Sequence, residues 1–301
     1  MSEFPDVSGT ALSGTGLRGT VAVVTGGAGG IGRGIVEALL EQGATVVIAD
    51  VEQAALDRAA EALGPSVWAV RVDVSDFEAV DALAAAVFER YGKCNLLFNN
   101  AGVTSGGGGK PWEQEINDWK WCFSVNVFGV ANGMLAFVPR MLASGEPGVV
   151  VNTSSGDGGI APVPYASVYA ASKAAVTCLT ESLAHQLHDS GATVRAAVFY
   201  PSGGLLDTGL WTAGRNRPAS LERVRPRPPA PGTTFEEFRA QLQATGRNAE
   251  VMDLRELGRF VVRGVQSGAF VIHSDLGSVG ALLHERADAI GKGELPPHAL
   301  V

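Results

Sequence analysis

The sequence predicts an α/β protein built on one open, doubly wound parallel sheet. From residue 20 onward, short runs rich in β-branched residues alternate with segments of helical spacing, which is the pattern of repeated βαβ units. A cluster of glycines directly follows the first of these runs, as in turns that lead from a strand into a phosphate-binding helix. With 301 residues, 46% of them hydrophobic, the chain is long enough for one large domain and short for two.

Seven strands are predicted in chain order. Between the fifth and the sixth, the apolar residues Val168, Ala171, Ala175 and Leu179 recur at intervals of three and four, so they would line one buried helical face. Right-handed crossovers then place helices on both faces of the sheet. The predicted strands cover residues 21–25, 44–50, 67–72, 95–99, 148–153, 193–200 and 269–273.

The chain divides into three parts. Residues 1–19 are predicted to be a polar leader, 20–275 the domain, and 276–301 a C-terminal helix and tail. After the sixth strand, residues 211–234 carry five arginines and five prolines, which exclude a regular helix there. We expect residues 211–245 to form a lid over the substrate, called the lid segment below. Helical patterns resume at 235–244, within this segment, and at 249–266, after it. The arginines of the lid segment either recognise an acidic group of the substrate or only keep a solvated lid soluble.

Charge and cysteine content limit the partners of the protein. The 31 acidic and 23 basic residues give a net charge of −8, which argues against binding to nucleic acids or anionic membranes. No run of about 20 apolar residues predicts a membrane span, and the N-terminus lacks the apolar segment of a secretion signal. The three cysteines are an odd number without metal-site spacing, and His185 and His188 lack a third ligand, so we expect a cytoplasmic protein without a metal.

The glycine-rich turn predicts a dinucleotide site. Residues 25–32 read TGGAGGIG, which fits either GxxxGxG, with Gly26, Gly30 and Gly32, or GxGxxG, with glycines 27, 29 and 32. Glycines allow a pyrophosphate to approach the free N–H groups of the next helix, as in a Rossmann fold. A merely flexible turn is the alternative.

Asp50 closes the second strand, eighteen residues after Gly32. A carboxylate there can accept hydrogen bonds from the adenosine ribose hydroxyls, and it would repel a 2′-phosphate by about 1 to 4 kcal/mol at about 4 Å. This position favours NAD over NADP. The alternative is that Asp50 only caps a turn.

Tyr169 and Lys173 stand four residues apart and share one face of a helix. A nearby ammonium would lower the pKa of the phenol from its usual value near 10 and make it a general acid/base. Such a pair is also common in ordinary helices. Ser155, at the end of the fifth strand, could hold a substrate carbonyl beside the tyrosine, and Ser154 is its rival.

Taken together, these motifs resemble the short-chain dehydrogenase/reductase (SDR) family over about residues 20–210. The resemblance implies that Tyr169 is the acid/base, that Lys173 binds the nicotinamide ribose and tunes Tyr169, and that Ser155 orients the carbonyl. It also implies that Asn126 supports a water-linked proton relay; this polar residue in an apolar helix indicates a local irregularity. Asp50 would bind the ribose, and the other implied cofactor contacts are Gly26, Gly30, Ile31 and Gly32 for the pyrophosphate, Asp73 and Val74 for the adenine, and Asn100, Ala101 and Gly102 at the end of the fourth strand.

The sequence departs from the family pattern in three places. The gap between Ser155 and Tyr169 is one residue longer than the commonest family spacing, which leaves Ser154 as a rival. After Pro201, the threonine that would meet the nicotinamide carboxamide, Thr208, lies two residues later than is usual. The C-terminus lacks the family's Asp-Gly-Gly turn, which leaves a homodimer and a homotetramer, formed through the helices that bear Asn126 and Tyr169, both open.

We therefore expect an NAD-dependent oxidoreductase that interconverts a secondary alcohol and a ketone. Residues 137–145 and 215–218 are similar to Cα-dehydrogenases of lignin-derived aryl ethers, which implies a bulky hydrophobic or aromatic substrate. One alternative is a dinucleotide-binding sensor or regulatory protein on the same fold. Another is an epimerase or dehydratase, although those relatives usually have a GxxGxxG turn.

Overall fold

The computed structural model describes residues 12, 16–105, 109–164, 166–225, 234–247 and 249–298. Its centre is a seven-stranded sheet formed by β1 (Val21–Thr25), β2 (Thr45–Asp50), β3 (Val67–Arg71), β4 (Leu96–Asn99), β5 (Gly148–Thr153), β6 (Val194–Phe199) and β7 (Val271–Ile272). All neighbouring strands are parallel, in the order β3-β2-β1-β4-β5-β6-β7. The predicted α/β class and the single doubly wound sheet are confirmed.

Helices cover both faces of the sheet. They are α1 (Gly30–Glu41), α2 (Gln53–Leu63), α3 (Phe77–Tyr91), α4 (Ile116–Phe123), α5 (Gly129–Ser144), α6 (Gly156–Gly159), α7 (Ser167–Asp189), α8 (Phe235–Ala244), α9 (Leu254–Gln266) and α10 (Leu276–Gly291). A π-helical turn, Ser124–Phe128, joins α4 to α5.

Alternate residues of the central strands enter two hydrophobic cores. In β1, Ala22 and Val24 pack with α1, α2 and α9, whereas Val21 and Val23 pack with α3, α5 and α7. Strands buried on both faces are typical of parallel sheets covered by crossover helices. The chain order reverses between β1 and β4, so the carboxyl ends of these two strands border the crevice where such folds bind ligands.

Close backbone contact fixes α9 against α1. A Cβ atom on Gly34 would lie 2.0 Å from the carbonyl oxygen of Leu254, and one on Gly258 would lie 2.1 Å from the carbonyl oxygen of Gly34. Only glycine fits at either position without moving a helix. This contact holds α1, which begins at the glycine-rich turn.

The predicted element boundaries differ most near the C-terminus. β7 is limited to two residues, because the N–H of Ala269 instead bonds to the carbonyl of Gly264 at the end of α9. α9 begins at Leu254 and not at residue 249, since Val251 pairs with Leu205 and Asp253 caps the helix by accepting the N–H groups at 255 and 256.

Part of the predicted N-terminal leader packs on the domain. Most of the leader at 1–19 lies outside the described residues, but Leu12 and Leu17 are buried in the first core.

The helical stretch Ile116–Ser144 is long and apolar enough to cross a membrane by length and composition alone. Half of its apolar window is buried, and Asn132 within it donates a 2.9 Å hydrogen bond to the carbonyl of Val74, so it packs here as a core helix.

Candidate active site

A cleft of about 760 Å³ runs along the carboxyl ends of the central strands, and we call it the cofactor cleft. Its walls come from the glycine-rich turn, the ends of β2 to β5, the first turns of α7, and the chain after β6. The residues predicted to bind a cofactor all lie on it: Gly26, Gly30, Ile31, Gly32, Asp50, Asp73, Val74, Asn100, Ala101, Gly102, Tyr169, Lys173, Pro201 and Thr208.

The glycine-rich turn leaves room for a phosphate at the start of α1. Gly26 and Gly30 have φ angles of +63° and +54°, and a Cβ on Gly32 would lie 2.1 Å from the carbonyl oxygen of Gly26. No atom lies within 4 Å of a Cβ placed on Gly29. The geometry therefore favours the GxxxGxG interpretation. No side chain caps α1, so its first N–H groups face the cleft as anion donors.

Asp50 lines this cleft at the end of β2. Its carboxylate accepts the N–H of Ala28 at 3.2 Å and that of Glu52 at 3.1 Å, while burial raises its pKa. The turn-capping role and a position on the cleft wall are thus both present. The donor and acceptor set fits an adenosine ribose, whose hydroxyls would supply the donors that a half-buried carboxylate needs.

Thr25 and Asn100 hold the next part of the wall. The hydroxyl of Thr25 accepts the N–H groups of Asn100 at 2.9 Å and Ala101 at 3.1 Å, and the Asn100 amide donates to the carbonyl of Thr25 at 3.1 Å. These bonds bring residues 100–102 against Gly26, where a Cβ would lie 2.9 Å from the Cα of Ala101. Thr25 is a site residue that the sequence analysis does not predict. The signal that could have indicated it is its position directly before Gly26, the first glycine of the turn.

Thr208 reaches the glycine-rich turn despite its late position. Its Cβ would be 3.3 Å from a Cβ on Gly30, and its hydroxyl accepts the N–H of Leu210 at 3.3 Å. The interval between Pro201 and Thr208 is two residues longer than the family pattern. Gly203 and Gly204, with φ angles of +99° and +148°, accommodate this extra length. The chain thus makes a wider turn after Pro201 and returns to the cleft.

Tyr169 and Lys173 lie one helical turn apart on α7, with the Lys173 Nζ 5.7 Å from the centre of the tyrosine ring. Lys173 also donates to the carbonyl of Thr153 at 2.8 Å, and burial lowers its pKa to about 8. Burial raises the pKa of Tyr169 above its usual range and outweighs the hydrogen bond with Ser155, which lowers it. The lowered tyrosine pKa expected from the sequence is therefore wrong for the chain alone, because desolvation dominates.

The two serines after β5 have different hydrogen-bond partners. Ser154 is 1% exposed and contributes to the cleft wall, and its hydroxyl donates to the carbonyl of Lys173 at 2.8 Å, so this hydroxyl is already bonded within the protein. The hydroxyl of Ser155 instead acts on Tyr169, whose pKa it lowers through a hydrogen-bonding interaction, and it accepts the N–H of Asp157 at 3.1 Å. Ser155 is thus the serine that meets Tyr169.

Asn126 lies in the π-helical turn, fully buried behind the site. Its side chain accepts the N–H of Val103 at 2.8 Å and donates to the Val103 carbonyl and to the Ser172 hydroxyl, each at 2.9 Å. Ser172 in turn donates to the Tyr169 carbonyl at 2.6 Å. Asn126 therefore supports the backbone on both sides of the site and does not line the cleft.

The lid segment is attached to the body by ion pairs, which sequence reasoning missed. Arg215 pairs with Glu52 at one end of the cleft. Arg217 and Arg223 both pair with Asp118, whose carboxylate is fully buried. Burial raises the pKa of Asp118, but the two guanidinium groups and the N–H of Glu115 together hold it below its usual range. Residues 226–233 of the segment lie outside the described residues.

Among the described residues, no cluster of three or more histidine, cysteine or acidic side chains could hold a metal. His185 and His188 thus have no third ligand in the described structure. Cys94, Cys122 and Cys178 are all free thiols.

Comparisons with known proteins agree with this architecture. Residues 20–217 match the family model described as short chain dehydrogenase. The chain is 38% identical over 190 residues to the oxidoreductase SadH of Mycobacterium tuberculosis, covering 62% of this chain and 67% of SadH. It is 39% identical over 204 residues to the C alpha-dehydrogenase of Sphingobium sp. strain SYK-6, covering 66% of this chain and 64% of that enzyme.

A solved structure extends the likeness over the whole fold. It is a short-chain dehydrogenase/reductase from Burkholderia phymatum in complex with NAD, with a TM-score of 0.81 and 36% sequence identity. The match covers 94% of this chain and 98% of that one. The protein described here therefore belongs to the short-chain dehydrogenase family.

Proposed function

We propose that this protein is an NAD-dependent dehydrogenase that interconverts a secondary alcohol and a ketone. The observation that carries the proposal is the pair of Tyr169 and Lys173 on the wall of the cofactor cleft, with the Lys173 Nζ 5.7 Å from the centre of the tyrosine ring. A bound nicotinamide supplies the chemistry of accepting or donating a hydride.

The chain's residues handle the oxygen of the substrate. Ser155 orients the hydroxyl or carbonyl oxygen, and Tyr169 takes the hydroxyl proton during oxidation or returns it during reduction. Lys173 favours the phenolate because its positive charge lies 5.7 Å from the centre of the ring. Asn126 acts indirectly, by holding Ser172 and the backbone at Val103.

Two carboxylates support a preference for NAD over NADP. Asp50 and Glu52 both line the adenosine end of the cleft, where a 2′-phosphate would add a dianion. Arg58 and Arg215 also line this end, but Arg215 is paired with Glu52. The formal charges of these four residues cancel, so the preference rests on the Asp50 carboxylate at the end of β2, which can accept hydrogen bonds from ribose hydroxyls and would repel a 2′-phosphate.

An apolar part of the cleft wall supports a bulky hydrophobic or aromatic substrate. Val103, Trp121 and Ala213 form a small buried cluster, and Leu221 packs on it. These residues line the cleft together with Leu210. The name of the Sphingobium relative, a C alpha-dehydrogenase, points to the same class of secondary alcohol.

We further propose that the enzyme works in the cytoplasm as a homodimer or homotetramer, with residues 20–275 as the catalytic domain and 276–301 as an appended helix and tail. Three free cysteines suit a reducing compartment. On α5 and the turn before it, Phe128, Leu135 and Leu142 are exposed at intervals of seven, so they share one helical face that a second copy could cover.

The test is formation of reduced nicotinamide, followed by its absorbance, with a panel of aliphatic and benzylic secondary alcohols and either NAD or NADP. We expect turnover with NAD that falls by about a thousandfold or more in Tyr169→Phe. Tight NAD binding without turnover of any alcohol or ketone would instead support a sensor or regulatory protein. Equal kcat/KM with NADP would refute the cofactor preference.

A further inference from the structure

The fold leaves the C-terminal helix α10 uncovered. It has 16 residues, about 24 Å of helix, and none of them is buried, whereas α9 before it buries Leu257, Val261 and Val265. In the described part of the chain, nothing lies within 4 Å of a Cβ placed on Gly280, near the middle of α10. Helices in proteins gain most of their stability from packing an apolar face, and α10 lacks such packing within its own chain.

One face of α10 forms an apolar seam. Leu276, Leu283 and Ile290 recur at intervals of seven and are 54%, 46% and 62% exposed. Gly280 and Ala287 lie between them, so large and small residues alternate at intervals of four and three. This is the spacing of the inner positions of a coiled coil. We call these five residues the α10 seam.

The C-terminal tail packs beside this seam and leaves it open. The guanidinium of Arg286 donates to the carbonyl of Pro297, so the described part of the tail folds back along the helix. No seam residue contributes to the small hollow between helix and tail, which is lined by Leu282, Glu285, Pro297 and His298. The tail therefore covers a different side of α10.

The seam is complementary to itself when two copies run antiparallel. If Leu283 of one copy packs on Gly280 of the other, the same register places Leu276 on Ala287, because the two leucines and the two small residues are each seven positions apart. Each leucine then faces a small residue, and the side chains of the two helices can interdigitate.

The charges on α10 permit this contact. Glu285 and Asp288 balance Arg286 and Lys292, and all four lie outside the seam, although the whole chain carries a net charge of −8. Two copies of the helix can thus approach each other without the repulsion that the whole chain would predict. A nearly neutral helix also fits a second copy of this chain better than a partner that is recognised by its charge.

We propose that the α10 seam packs antiparallel on the α10 seam of a second copy of this chain, about a two-fold axis. The contact is a strip about 24 Å long and about 10 Å wide, well below the area of about 800 Å² per partner that stable complexes usually bury. It therefore joins two dimers that form through the exposed face of α5, and the assembly is a tetramer. Only this last step rests on the proposed dimer.

Light scattering during gel filtration of the full chain tests the contact. We expect a tetramer for the wild type and a dimer, of half that mass, for Leu283→Glu, because this variant would bury an unpaired charge in the seam. Ala281→Glu adds the same charge at an exposed position on another side of α10, so it is the matched control and should stay tetrameric. The kcat/KM per subunit should be the same in both variants, since neither residue lines the cofactor cleft.

Engineered cysteines test the antiparallel register. They are placed in a Cys178→Ser background, because Cys178 is exposed whereas Cys94 and Cys122 are buried. Leu276→Cys combined with Ala287→Cys should form a disulfide between chains under mild oxidation. The two positions are about 16 Å apart along one helix, too far for a disulfide within a chain. Leu276→Cys alone should not cross-link, since antiparallel packing keeps the two copies of this residue about as far apart.

The outcomes separate this inference from the earlier proposals. A mass that Leu283→Glu leaves unchanged overturns the α10 contact, and so does cross-linking of Leu276→Cys alone as readily as of the double variant. Leu135→Glu, on the exposed face of α5, should also give dimers, and a tetramer that survives it overturns the arrangement of two α5 dimers. Absence of turnover with any alcohol or ketone refutes the proposed function and leaves these masses and cross-links unaffected.

Discussion

Glu52 and Arg215 form an ion pair across the mouth of the cofactor cleft, although 163 residues separate them in the chain. Asn216 adds a 2.8 Å hydrogen bond to the same carboxylate, and the pairing with Arg215 lowers the pKa of Glu52. Arg215 is itself held by the carbonyls of Gly209 at 2.7 Å and Thr212 at 2.9 Å. The chain after β6 is thus fastened to the end of the cleft that Asp50 and Glu52 line.

This ion pair is expected to slow the exchange of the cofactor. Arg215→Ala should speed dissociation of NADH by about two- to fivefold, the effect of losing a partly exposed ion pair. The measurement is stopped-flow displacement of NADH fluorescence. Arg225→Ala, which removes an exposed arginine of the same segment away from the cleft, is the control, and equal rates in the two variants would contradict a role for the Glu52 contact.

The neighbouring serines give a matched pair of variants. Ser155→Ala should lower kcat by about a hundredfold or more, because it removes the hydroxyl that meets Tyr169. Ser154→Ala should lower kcat far less and should cost about 1 to 2 kcal/mol of stability, since its buried hydroxyl bonds to the carbonyl of Lys173 and to Thr177. Steady-state kinetics and chemical unfolding of both variants check this. The reverse order of the two kcat values would make Ser154 the catalytic serine.

The local parts of this fold were readable from the sequence. The bounds of β1 and β5 agree with the predicted ones, because each buried strand is built on a short run of apolar residues, 21–24 and 149–151, next to polar residues or glycine. Every predicted cofactor contact lies on one cleft. This could be predicted because most of these residues follow the carboxyl ends of strands, and a parallel sheet brings those ends to one edge.

What could not be read depends on distant parts of the chain. The partners of Arg215, Arg217 and Arg223 come from elements far away in sequence, so spacing carries no signal for them. The pKa of Tyr169 was predicted in the wrong direction for a related reason, because the Tyr-Lys spacing is local whereas burial is a property of the folded chain. Neither serine could be excluded, since the side toward which each one turns depends on how β5 meets α7.

Asp118 is expected to hold the lid segment closed. Asp118→Asn removes the charge that faces Arg217 and Arg223, and breaking such a buried pair is costly. Trypsin should then cut the segment about tenfold faster or more, as the local opening equilibrium shifts. Asp81→Asn, which weakens a more exposed pair with Arg140, should leave cutting of this segment unchanged.

The same digestion tests whether the segment is a lid. NAD together with a substrate should protect residues 211–245 in the wild type, because closure over the ligands reduces access to the backbone. Unchanged cutting with and without these ligands would count against a lid.

Two glycine-to-alanine substitutions separate packing from helix propensity. Gly258→Ala should destabilise the protein by about 1 to 3 kcal/mol, because its new Cβ would meet the backbone of α1 at Gly34. Gly280→Ala on α10 has nothing within 4 Å and should add roughly 0.5 to 1 kcal/mol to the stability of that helix. Urea unfolding, with circular dichroism as the probe, gives both values. Similar losses in the two variants would show that the contact between α1 and α9 is not special.

Lys173 gives a pH dependence of known sign. Its pKa is lowered by burial to about 8 from a model-peptide value of 10.5, so between these values the unfolded chain binds more protons than the folded chain. Stability therefore rises with pH in this window, and the cost of the buried ammonium is largest below it. Lys173→Met removes that cost. The variant should therefore have a larger unfolding free energy than the wild type at about pH 7. This advantage should be about 2 kcal/mol smaller at about pH 9.5, where the lysine is largely neutral in the folded wild type. The measurement is chemical unfolding of the cofactor-free wild type and variant at both pH values. The titration of thiols and phenols contributes equally to the two proteins, so it cancels when their unfolding free energies are subtracted. A gain that does not change with pH would mean that the Lys173 ammonium is not desolvated in the folded protein.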